Sequence, residues 1–156
     1  MMFDEFDKYI SEFAMEDFAV DYWYDEGVDI AEAMLHEFDD SDWEVLLSSL
    51  PERTVEWQKR LAYCMHDESD LNQLIVLLRL ADTDNNELFE ITVDSLRGFT
   101  SEESLNLIQD HPQIFFKIKQ LLPKVGNATK RVFEEITNTF KLGETNYVPI
   151  SEEPTD

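Results

Sequence analysis

Apolar residues recur every three or four positions along most of this chain, the spacing that gathers them on one face of an α-helix. Phe3, Phe6, Ile10 and Phe13 form the first such stripe, and Val28, Ala31, Leu35 and Phe38 the second. Trp43, Leu46, Leu47 and Leu50 follow, then a helix with a less regular stripe from about Glu52 to Met65. Leu71, Leu74, Ile75 and Leu78 continue the series, and after them Leu88, Ile91 and Leu96. Ile114, Phe115, Ile118, Leu121 and Leu122 precede a last stripe of Phe133, Ile136 and Phe140. Strand-like alternation and Asn-Gly hairpin turns are absent. The pattern predicts an all-α protein of about eight or nine helices, either an irregular bundle or a short stack of helical pairs.

Start and stop signals fall between the stripes. Ser41 with Glu44 and Thr100 with Glu103 have capping-box spacing, and Asp84 with Glu87 is a looser version. Pro51 and Pro112 sit where a first helical turn tolerates a missing N–H, Asn127 is placed to cap the last helix, and Gly98 to end an earlier one. Continuing the first stripe would turn Asp17 and Asp21 inward, which desolvation opposes. Phe18 and Tyr22 are therefore expected to take over on a rotated face, through a kink or a new helix near Met15. These signals delimit one helical domain over residues 1–141 and a flexible acidic tail over 142–156.

Charge changes the picture more than length does. Of 35 acidic residues, sixteen lie in the first 44 positions, against one base there, Lys8. The net charge of −23 opposes binding to bare nucleic acid or anionic lipid. Eleven phenylalanines and 43% apolar residues exclude a disordered acidic tail as the whole. The single cysteine, Cys64, fits a reducing compartment, and no signal peptide or long apolar run is visible, so a cytoplasmic location is expected. Lys117, Lys119, Lys124, Lys130, Arg131 and Lys141 give the closing region a positive balance, chiefly a solvated one.

The acidic opening is also rich in aromatics: Tyr9, Tyr22, Trp23, Tyr24 and Trp43. Tyr22, Trp23 and Tyr24 are consecutive and cannot all face inward on a helix, so part of this set is expected at the surface, where Trp and Tyr serve as interface anchors. The candidate partner-binding residues are Asp17, Asp21, Tyr22, Trp23, Asp25, Glu26, Asp29, Asp39, Asp40, Asp42 and Trp43. Their chemistry suits a basic protein.

Other sites fare worse. Asp82 to Glu87 begins like a calcium loop, but Glu87 stands where glycine is needed and Val93 where the bidentate glutamate belongs. His36, His66, His111 and Cys64 lack the spacing of a zinc site, and structural roles near helix ends are expected of the histidines. No nucleophile elbow, His-Glu-x-x-His or phosphate loop occurs. No enzyme activity, metal or cofactor is expected.

The segment Asp70–Phe99, an apolar helix, an Asp-rich turn and a second apolar helix, resembles a HEAT-type repeat, with Trp43–Met65 as a possible preceding pair. Together with the small size, the acidity and the lack of catalytic motifs, it gives the chain a general resemblance to bacterial immunity proteins. Those include the proteins that neutralise toxins of contact-dependent growth inhibition and related polymorphic toxin systems. The resemblance implies a tight complex with a cognate toxin domain, basic if it is a nuclease, because such a domain must bind phosphates. Two other classes fit the composition: a nucleic-acid mimic that occupies a DNA-binding protein, and a helical-repeat adaptor that holds a peptide or another protein.

Overall fold

In a computed structural model, residues 1–14 and 22–140 are described, and within them no strand occurs. Nine α-helices form among the described residues: α1 (Met2–Phe13), α2 (Val28–Leu35), α3 (Asp40–Ser49), α4 (Val55–Cys64), α5 (Leu71–Leu80), α6 (Asn86–Leu96), α7 (Glu102–Gln109), α8 (Pro112–Leu121) and α9 (Asn127–Phe140). A π-helical turn, Trp23–Gly27, runs directly into α2, and 3-10 turns close α3 and α8. The expected kink near Met15, the orientations of Asp17, Phe18 and Asp21, and the tail beyond residue 141 lie outside the described residues.

The apolar stripes become one continuous core. Phe3, Phe6, Ile10 and Phe13 are all buried, as are Leu46 and Leu50, Ile114 to Leu121 on one face of α8, and Phe133, Ile136 and Phe140. Ile75 departs from expectation: it is 39% exposed, and Leu74, Leu77 and Leu78 carry the inward face of α5 instead. Alternate helices pack side by side, α2 on α4, α4 on α6 and α5 on α7, as in a two-layer stack. The ladder is interrupted where α1 reaches α4 and α9 reaches α6; α5 with α6 forms the helical pair anticipated over Asp70–Phe99, whereas α3 and α4, the possible preceding pair, touch far less. Lys59 adds a polar tie between α4 and α6: its side chain is buried, and its ammonium lies 3.0 Å from both Glu56 and Glu87. Desolvation works against that charge, but the two carboxylates outweigh it and raise the pKa.

The caps use neighbours of the residues expected. Asp39 and Asp42, not Ser41 and Glu44, form the reciprocal box at α3. Asn85 rather than Asp84 caps α6, and Ser101 rather than Thr100 caps α7. At α9 the Gly126 carbonyl accepts the first helical bond from Lys130 N–H, which makes Asn127 the first helical residue instead of the cap.

Candidate protein-binding surface

The surface that matters for function begins at the π-helical turn, because that turn decides which aromatics face out. From Tyr22 to Leu35 the helix buries every fourth residue: Trp23, Gly27, Ala31 and Leu35. Trp23 lies against Phe13, with ring centroids 4.9 Å apart, and Arg60 holds its guanidinium 5.8 Å above the indole. Gly27 makes this approach possible. A Cβ there would stand 2.9 Å from both Phe13 Cζ and Trp23 Cε3, closer than a methyl group tolerates.

Burying that row turns its opposite outward. Tyr22, Asp25, Glu26, Asp29, Ile30, Ala33 and Glu37 are exposed and share one face by helical spacing. Tyr22 is 43% exposed while its ring stacks on Phe13. Tyr24, at 47%, leans edge-on against Tyr63 and donates its hydroxyl to the Tyr63 hydroxyl at 3.2 Å. Burial pushes the Tyr63 phenol above its ordinary pKa.

Three candidate residues are removed from the surface. Trp23 is fully buried and Trp43 is 5% exposed, packed on the Phe38 ring at 4.9 Å, so neither indole can anchor a partner. Asp42 is inside as well, as a structural acceptor. One of its oxygens takes the Phe3 N–H at 2.9 Å and the other the Asp39 N–H at 3.0 Å, joining the starts of α1 and α3. Burial would raise the Asp42 pKa, but these backbone donors dominate and lower it. Asp25, Glu26, Asp29 and Tyr22 come together on the outer face of the π-helical turn and the start of α2, whereas Asp39 and Asp40 are exposed at the start of α3. Asp17 and Asp21 lie outside the described residues.

Sequence reasoning overlooked Ile30 as a surface residue and Tyr24 as a candidate contact. The signal for both was present, since neither shares the four-residue spacing of Trp23, Gly27, Ala31 and Leu35.

Neutralisation of the acidic opening is partial and local. Asp7 pairs with Arg53 at 3.1 Å and accepts from Trp57 Nε1 at 3.0 Å. Two histidines bridge to carboxylates across the α2–α4 seam: His66 contacts Glu32, and His36 Nδ1 is 3.6 Å from Asp67. Desolvation, helped by Asp29, raises the Glu32 pKa against the pull of His66 and His36, whereas hydrogen bonds from Ser69 lower that of Asp67. No salt bridge among the described residues joins an acid of the first 44 positions to a Lys or Arg of α8 or α9. Asp25, Glu26 and Asp29 take part in none of the ion pairs found.

The histidines hold helix ends: His36 closes α2, and the His111 ring bonds the Leu107 carbonyl at 2.9 Å. Among the described residues no three His, Cys, Asp or Glu side chains are grouped to hold a metal ion. No helix there is long and apolar enough to cross a membrane. No protein family, curated protein or solved structure matches the chain.

Proposed function

We propose that this chain is an immunity-type inhibitor that captures a basic, nuclease-type toxin domain on the outer face of the π-helical turn and α2. The observation that carries the reading is the row Asp25, Glu26 and Asp29, exposed and outside every ion pair found, flanked by exposed Tyr22 and Ile30. Carboxylates displayed in this way steer a cationic partner and compete with phosphate for its surface, while the tyrosine and isoleucine supply apolar contact. With Trp23 and Trp43 buried, Tyr22, Tyr24 and Ile30 take the anchoring part that the indoles cannot.

The test is co-expression with a basic, nuclease-like domain encoded beside the gene for this chain. Growth should be rescued by the native protein and lost on triple charge reversal of Asp25, Glu26 and Asp29 to Lys. The association rate should fall at least about tenfold between 0.1 and 1 M salt, as the screening length drops from about 10 Å to about 3 Å. No rescue by the native chain, or a rate indifferent to salt, would overturn the proposal.

A further inference from the structure

On another flank, α6 places Glu90, Ile91 and Asp94 along a surface cleft of about 210 Å3, closed by Tyr63 of α4 and by Ala128 and Val132 of α9. The two carboxylates are four residues apart and so share a helix face. Asp94 is already engaged: with Glu135, 2.9 Å away on the other side, it holds the guanidinium of Arg97. Glu90 is half-buried and takes part in none of the salt bridges found among the described residues.

The molecule shows elsewhere what it does with a ring beside a carboxylate. Arg53 lies 3.1 Å from Asp7 and 5.2 Å from the centre of the Trp57 ring system, so one guanidinium satisfies both. The cleft offers the same two groups, an aromatic ring and a carboxylate, and supplies no arginine of its own to lie between them. Beside Thr129, the walls Ile91, Ala128 and Val132 are apolar, which suits the methylene stem of a long cationic side chain.

We propose that this cleft is a receptor for an arginine side chain of a protein partner, its stem along Ile91, Ala128 and Val132 and its guanidinium between Tyr63 and Glu90. A planar, weakly hydrated cation stacks on a phenol ring and meets a carboxylate with paired N–H groups, which a lysine ammonium cannot do. The inference deepens the proposed function, resting on it only for the identity of the partner. Tyr24, on the π-helical turn beside the acidic row, touches Tyr63, and so links the two sites.

A small probe separates the two proposals. N-acetyl-arginine methylamide, titrated into isotope-labelled full-length protein, should give saturable NMR shifts centred on Tyr63, Glu90 and Val132. The uncharged isostere, N-acetyl-citrulline methylamide, should bind at least fivefold more weakly, as should the lysine analogue. Glu90→Gln should abolish the preference for arginine over citrulline, whereas Glu102→Gln, at an exposed acid elsewhere, should leave it intact. Equal responses to arginine and citrulline, equal responses to arginine and lysine, or shifts centred on Asp25–Asp29 would each overturn the assignment. Toxin neutralisation does not enter this readout, so either proposal can fail while the other stands.

Discussion

The first three helices and the last two carry opposite charge. Residues 1–44 hold sixteen acids and one lysine, whereas from Pro112 to Phe133 there are five bases and no acid. Had the two segments folded against each other as counter-ions, the surplus at each end would be structural. Instead, among the described residues, Asp42 at the front and half-buried Lys117 at the back each find a partner nearby. At the front, Asp42 takes two backbone N–H groups. At the back, Lys117 bonds the Thr83 carbonyl and sits 4.8 Å over the Phe89 ring; burial lowers its pKa despite Asp84 and Asp82. The difference between an inward and an outward charge of the same residue type is thus a matter of donors within reach. It separates Asp42, which builds the fold, from Asp25, Glu26 and Asp29, which are free to act outside it.

That division breaks most visibly at Asp42. Asp42→Ala leaves two backbone donors without an acceptor and should cost about 2–3 kcal/mol. Asp29→Asn, at an outward acid, should stay within about 0.5 kcal/mol. Urea titration of both variants measures the contrast, and equal losses would erase it. Gly27→Ala comes next. Its methyl group must displace the Phe13 and Trp23 rings, at about 1–3 kcal/mol of overpacking, relieved by about 1 kcal/mol of helix propensity. A net loss of about 0–2 kcal/mol follows. Gly98→Ala, with nothing within 4 Å of the new Cβ, should be close to neutral in the same urea titrations.

Asp42 and the seam between α2 and α4 supply a smaller, pH-dependent effect of both signs. Asp42 and Asp67 titrate lower in the folded chain than in the unfolded one. Their contribution is complete above the ordinary aspartate value of about 3.9 and is lost as pH falls through the folded values. Glu32 is shifted the other way, so its contribution is present in acid and fades as pH rises through its raised pKa. Stability measured against pH should therefore fall off more gently below about pH 4 in Asp67→Asn. Glu32→Gln should remove a decline that the native chain shows as pH rises above the ordinary glutamate value of about 4.3.

Much of the fold was legible because helical spacing is a strong signal. Phe3, Phe6, Ile10 and Phe13 were placed inside by period alone, and all four are buried. The caps slipped by one or two residues because Asp39, Ser41, Thr100, Ser101, Asp84 and Asn85 are near-equivalent N-cap residues in local terms. At α3, the amide of Phe3, 39 residues away, favours the frame in which Asp42 turns inward. The same limit explains the site. Trp43 sits among acids in the sequence and against the Phe38 ring in the buried core, and no local pattern distinguishes those surroundings. The exposed row on the π-helical turn and α2 was half legible, since its acids were found and Ile30 was not. Glu90 carried no signal, because the cleft exists only where α4, α6 and α9 meet.

The central claim is that the acids on the π-helical turn and α2 are displayed for a cationic protein and carry no structural duty. Its most direct measurement is a pair of experiments on one variant, Asp25, Glu26 and Asp29 all changed to Lys: a urea titration, and the stopped-flow association rate with the neighbouring basic domain at 0.1 M salt. The account predicts an unfolding midpoint equal to or slightly above that of the native chain, from relieved repulsion, and an association rate at least tenfold slower. A variant that unfolds easily, or one that associates at the native rate, would contradict it.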